Sequence, residues 1–249
     1  MPDRNFFGSR VQNSVKVAER EVKLPVLFYD ATAVAASFAV PRAAVARLLP
    51  APLRPMPFVP TLALMSVAAF EHRDASIGPF TELSVAFPCM LAGGGPLAQL
   101  KTFGWYVWQR WLSTEDAVAA SDTIWGGTQT LAEVTRAEED HQQVYAVVAE
   151  GREVLRLKVA TGRHFLRDRR VFRAYTVQGQ ELLSTPLETA GLVAPLVLPS
   201  SAALTLGDHA VGDEIRGMGV HRHGALGAAH YAELQAVLPR ADRAYPLVG

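Results

Sequence analysis

The sequence predicts a β-rich α+β domain whose sheet curls into a barrel or sandwich, with a few short helices beside it. Three observations predict it. Most segments between turn signals are short, apolar, and β-branched, aromatic or alternating rather than helically periodic. Only three stretches place apolar residues on a helical face, and none is long. At 49% hydrophobic and 19% charged over 249 residues, the chain has ample apolar surface for a large core and is not a disordered segment. No internal repeat or low-complexity linker divides it, so residues 24–249 read as one domain behind an N-terminal arm, residues 1–23.

The arm is charged throughout and lacks the apolar core of a signal peptide. Ala31–Val40 is an apolar strand that stops at Pro41, a residue suited to the first position of a helix. Ala44, Val45, Leu48 and Leu49 give that helix its face, and Pro50 closes it. Thr61–Glu71 and Phe80–Phe87 read as a hairpin joined by a polar turn, His72–Gly78. Trp105, Trp108 and Trp111 also have helical spacing, but aromatic enrichment makes Trp105–Leu112 a buried strand. Ser113–Asp116 has capping-box spacing and opens a short helix through Ala120. Val144–Glu150 and Val154–Thr161 are strands around Gly151, and further strands are expected in Arg163–Tyr175 and Gly191–Leu198. Leu226–Leu238 reads as a helix through Leu226, Ala229, Leu234, Val237 and Leu238.

Charge excludes one class of partner: 24 Lys and Arg balance 24 Asp and Glu, without the basic excess of a nucleic-acid binder. The uncharged runs Leu83–Leu100 and Thr189–Gly207 are broken by Pro and Gly, so no membrane-spanning helix is expected and the protein reads as cytoplasmic. Cys89 is the one cysteine and reads as a buried structural thiol. His221-Arg222-His223 with His230 lacks a cysteine or carboxylate at ligand spacing, so no metal is expected. The Gly93–Gly95 triplet lacks the Gly-Lys-Ser/Thr of a phosphate loop and reads as a turn. No serine sits in a nucleophile elbow.

Three segments carry chemistry. In Gly78-Pro79-Phe80-Thr81-Glu82 a turn feeds a strand on which Glu82 shares the face of Phe80. A carboxylate on an apolar face has a raised pKa and suits proton transfer near neutral pH, whereas on the solvent face it does nothing. The second segment is Ile124-Trp125-Gly126-Gly127-Thr128-Gln129-Thr130-Leu131-Ala132, the third Gly207-Asp208-His209-Ala210-Val211.

With the proline-started helix Pro41–Pro50, these segments resemble, in order and spacing, the acetoacetate decarboxylase-like superfamily over about Leu24 to Ile215. The resemblance implies a cone-like curled sheet around a small keto-acid pocket, needing no cofactor, in a homo-oligomer. It implies Glu82 and Gln129 as the catalytic positions, with Phe80, Trp125, Gly126, Thr130 and His209 as substrate-binding. Decarboxylases of this family form an imine between a lysine and the substrate ketone, and a second cation keeps that lysine neutral. The two lysines follow Trp-Gly-x-Pro. Here Gln129 and Thr130 replace them, and Ser121-Asp122-Thr123 replaces the usual Gly-Arg-Glu.

An amide cannot form an imine. Of the cations only Lys16, Lys23, Lys101 and Lys158 are lysines. Lys158 alternates with Leu155 and Leu157 onto the opposite face, and Lys101 has either face open to it. Arg20 and Arg54 are the candidates for holding a substrate carboxylate. The expected function is a pocket for a small keto acid or related oxygenated metabolite, with Glu82 as acid or base and Gln129 orienting the substrate. Enolisation, hydration and lactone opening all fit that equipment. The alternative is a non-catalytic ligand-binding or structural member of the fold.

Overall fold

Apolar residues alternate along long strands, and a computed structural model shows where those strands pair. It describes residues 6–8, 10, 12–93, 95–163, 165–220 and 224–247. The chain opens with β1 (Asn13–Val17), β2 (Arg20–Leu24), β3 (Val26–Pro41), α1 (Arg42–Leu48), β4 (Leu53–Pro55), β5 (Leu62–Ala75) and β6 (Phe80–Leu91). It continues through α2 (Pro96–Leu100), β7 (Gly104–Leu112), α3 (Glu115–Ile124), β8 (Gln129–Leu131), β9 (Glu133–Glu139), β10 (Gln142–Ala149) and β11 (Arg152–Ala160). It ends with β12 (Leu166–Gln178), β13 (Glu181–Leu196), β14 (Ala202–Leu206), α4 (Ala210–Gly217), β15 (Gly227–Leu238) and β16 (Arg243–Pro246).

The large sheet runs β4-β6-β5-β3-β15-β13-β12-β7-β8, with β16 on β13. Pairing of β6 with β7 closes seven of its strands into a barrel, as the β-rich α+β reading expects. A second sheet runs β14-β11-β10-β9, and β1 pairs with β2 in a two-stranded hairpin. Ladders are antiparallel except those of β7 with β12 and β8.

Alternation decides which face meets the small sheet. Val34, Phe38, Met65, Val67, Leu83, Val85 and Phe87 form one cluster with Tyr145, Val147, Leu155 and Leu157 of the four-stranded sheet. Burying these side chains at about 1.5–3 kcal/mol each is what holds the two sheets together. The opposite face of β5, β6 and β7 carries Phe70, Glu82, Ser84, Arg110 and Leu112 in register. There α3 packs Ala117, Ala120 and Ile124 with Phe28, Phe80 and Leu112.

Several elements differ from the sequence expectation. Residues 227–238 are strand β15, not a helix, because β13 and β3 hydrogen-bond to it on both sides. Irregularities at Tyr231–Leu234 and Leu234–Ala236 push its apolar residues off the two-residue period and imitate helical spacing. The β5 strand runs on through His72 to Ala75, leaving a shorter turn before Phe80. Pro41 is the N-cap of α1 rather than its first residue. α3 is capped by Thr114, whose hydroxyl accepts from the Ala117 N–H at 3.4 Å, and the helix extends to Ile124. Gly191–Leu198 falls mostly within the longer β13. His221–His223, Gly94 and the first five residues lie outside the described residues. No helix among the described residues is long and apolar enough to cross a membrane.

Candidate functional site

Gly78 sets the entry to the site. Its φ of +94° is one that side-chain-bearing residues rarely adopt, and its N–H donates to the Ala75 carbonyl at 2.9 Å. Pro79 then delivers Phe80 opposite His72 and Glu82 opposite Phe70. The neighbouring Thr81 is tied to the start of α3: its N–H donates to Ser113 Oγ at 2.8 Å, and Ser113 N–H to its carbonyl at 3.0 Å. Glu82 therefore sits between two anchored elements.

The segment after α3 places Gln129. Trp125 is buried, and its indole N–H donates to the Pro239 carbonyl at 2.7 Å. Thr176 Oγ1 donates to the Trp125 carbonyl at 2.5 Å, and Gly127 N–H to Val177 at 2.7 Å. Gly126 has φ +61°, and a Cβ there would lie 2.6 Å from the Val177 carbonyl oxygen. Only glycine fits this close turn. The chain leaves it as β8, parallel to β7, with Gln129 beside Arg110 and Thr130 beside Trp111.

Directly paired residues share a face, so Glu82, Ser84, Arg110 and Gln129 lie on one face of three adjacent strands. Arg110 Nε is 4.0 Å from Glu82 Oε1, with 12% of the arginine side chain and 17% of the glutamate exposed. Arg110 Nη1 donates to Ser121 Oγ at 3.2 Å. Gln129 Nε2 donates to Asp122 Oδ1. His72 closes the group, its ring 4.5 Å from those of Phe28 and Phe80.

Three buried polar atoms of this group have no hydrogen-bond partner: His72 Nδ1, Arg110 Nε and Gln129 Oε1. Buried polar atoms are nearly always satisfied, so three without partners in one neighbourhood are unusual. The ionisable groups beside them are also shifted. Burial raises the Glu82 pKa, against a smaller opposing pull from Arg110. Burial, helped by the Arg110 charge, lowers His72 to about 3. Both groups are held toward their neutral forms beside a permanent cation.

Of the residues expected at a site, the structure brings Glu82, Gln129, Phe80, Trp125 and Gly126 into one neighbourhood. Phe80 and Trp125 are buried in the cluster under α3. Thr130 is exposed and points to the face opposite Gln129. His209 caps α4 beside the four-stranded sheet, its Nδ1 accepting from the Val211 N–H at 3.2 Å. Arg20 is paired with Asp116, and Arg54 meets Met90 Sδ at 3.8 Å. No lysine lies on the Glu82 face. Lys158 pairs with Glu139 at 2.9 Å, and Lys16, Lys23 and Lys101 are exposed on the hairpin and at the end of α2.

Arg110 and His72 escaped the sequence reading. For Arg110 a signal exists: it is the one charge in the aromatic run Phe103–Leu112. His72 offered none, because it follows Glu71 and precedes Arg73 and Asp74 as a turn residue would. A cavity of about 210 Å³ opens where β3 and β15 lose their regular register, lined by Asp30, Arg167, Asp168, Gly191 and Glu233 among others. None of the expected site residues lines it. His230 lies in β15, and its Nδ1 accepts from the Gly162 N–H at 3.1 Å.

The family model described as acetoacetate decarboxylase matches residues 14–238. Two acetoacetate decarboxylase structures share the fold. One is 17% identical, with 89% of each chain covered and a TM-score of 0.68. The other, from Legionella pneumophila, is 13% identical, covering 98% of this chain and 94% of its own at 0.66. The enduracididine biosynthesis enzyme MppR, solved in complex with pyruvate, is 14% identical with 90% of each chain covered and a TM-score of 0.60. No curated protein sequence matches the chain.

Proposed function

We propose, because this chain belongs to the acetoacetate decarboxylase family, that the Glu82–Arg110–Gln129 face is a binding site for a small keto acid or related oxygenated metabolite. The family's fold carries decarboxylases and also other enzymes such as MppR. The observation that carries the reading is the convergence of three unpartnered buried polar atoms on the face that also holds Glu82 and Gln129.

Its chemistry is not that of an imine. Gln129 stands where the family's lysine is expected, and none of the four lysines faces Glu82. Glu82, with its pKa raised by burial, is the proton donor or acceptor. The free carbonyl oxygen of Gln129 accepts from a substrate hydroxyl or enol, while Asp122 holds its amide nitrogen in place. Proton transfer coupled to enolisation, hydration or ring opening needs no more than this pair.

A thermal-shift screen of keto acids and lactones, followed by turnover assays on each binder, tests the reading. Glu82→Gln is expected to lower turnover about 100-fold or more while binding persists; unchanged turnover removes Glu82 from the mechanism. Binders that are never turned over favour a non-catalytic role. Borohydride reduction with acetoacetate is expected to leave every lysine unmodified. A trapped lysine overturns the imine-free chemistry.

A further inference from the structure

Arginine–carboxylate pairs in this molecule close tightly when they serve the fold. Arg10 meets Glu188 at 3.2 and 2.7 Å, Arg73 meets Asp30 at 2.7 and 2.5 Å, and Arg173 meets Asp242 at 2.7 and 3.2 Å. Each is bidentate, the geometry in which a guanidinium fork satisfies a carboxylate. Arg110 and Glu82 are different. They are more buried than any of these pairs, yet stand 4.0 Å apart with no hydrogen bond between them.

A buried guanidinium with an unused N–H is costly unless something takes that bond. Here the head is held from one side by Ser121 Oγ, and the residues registered across from Arg110 are small, Ser84 on β6 and then Ala68 on β5. Orientation by Ser121 with little bulk opposite leaves the Nε–H free for an incoming acceptor.

We propose that Arg110 is the specificity-determining residue of this site: its guanidinium binds the carboxylate of the ligand, so the site takes small keto-acid anions in preference to their neutral esters and lactones. The inference rests on the site proposed above and narrows its substrate class. Glu82, kept toward its neutral form by burial, does not compete for the fork, and its carboxyl O–H donates a hydrogen bond to the bound anion. The same arrangement answers the missing carboxylate holder, since Arg20 and Arg54 are engaged elsewhere.

The test compares pyruvate with methyl pyruvate, by calorimetric titration of the full chain and of Arg110→Met and Arg110→Lys. The wild type is expected to prefer the acid by about tenfold or more, the worth of one charge-assisted hydrogen bond. That preference should vanish in Arg110→Met and shrink in Arg110→Lys, whose ammonium lacks the planar fork. Because it is a ratio within one protein, partial misfolding of a variant does not disturb it. A preference unchanged in both variants overturns the role of Arg110. Acid and ester bound equally by the wild type overturn that role and leave the site standing, whereas neither ligand binding takes both proposals down.

Discussion

The two faces of β6 and β7 are built by opposite rules. On one, Leu83, Val85, Phe87 and Trp111 are at most 2% exposed and pack with the four-stranded sheet, with no polar atom to satisfy beyond the indole N–H. On the other, one residue along each strand, Glu82, Ser84 and Arg110 lie with His72 and Gln129, and three of their polar atoms lack partners. The first face spends its residues on cohesion. The second packs Phe80 and Leu112 under α3, and it carries polar groups beside them that the fold leaves partly unsatisfied.

The contrast breaks most readily on the apolar side. Phe87→Ala is expected to destabilise the protein by about 3–5 kcal/mol, measured by urea unfolding, because the cavity it leaves lies between two sheets. A loss of less than about 1 kcal/mol would mean that the sheets are not held there.

Next in size is the anchor beneath β8. Gly126→Ala adds a Cβ 2.6 Å from the Val177 carbonyl oxygen at a positive φ, costing about 2 kcal/mol or more. It is also expected to weaken keto-acid binding through displacement of Gln129. Thr114→Ala, which removes the α3 cap, should cost about 1 kcal/mol in the same unfolding assay.

The finest distinction is in pH dependence, which the apolar face does not have. His72 is lowered from 6.5 to about 3, so the unfolded chain takes up a proton first. Its contribution to stability is full above 6.5 and is lost as pH falls toward 3. Glu82 is raised above 4.5, so its contribution is full below 4.5 and is lost as pH rises through the folded value. Unfolding midpoints measured across pH should therefore show His72→Phe flattening the acid limb. Glu82→Gln should gain on the wild type as pH rises. Parallel curves for wild type and variants would show that neither group is shifted.

Much of this was legible from local chemistry. Residue types along Ala31–Val40, Phe80–Phe87 and Val154–Thr161 indicate strands, and Gly78-Pro79 and Trp125-Gly126-Gly127 indicate turns, because backbone restrictions act within a few residues. That Gln129 stands where the family resemblance places a lysine is read directly from the sequence. The strand β15 is not legible in this way, because register shifts along it carry its apolar residues off the two-residue period.

Alternation assigns each residue to a face of its strand, but it does not name the neighbour across the ladder. That Glu82 and Gln129 share a face, and that Arg110 stands between them, follows from antiparallel pairing of β6 with β7 and parallel pairing of β7 with β8. Sequence alone establishes the β-rich class, the turn glycines and the absent lysine, because these rest on covalent constraint and residue identity. The carboxyl and histidine held toward their neutral forms, and the guanidinium whose Nε–H lacks a hydrogen-bond partner, appear only on closure of the barrel, since desolvation and hydrogen-bond satisfaction depend on what distant strands bring alongside.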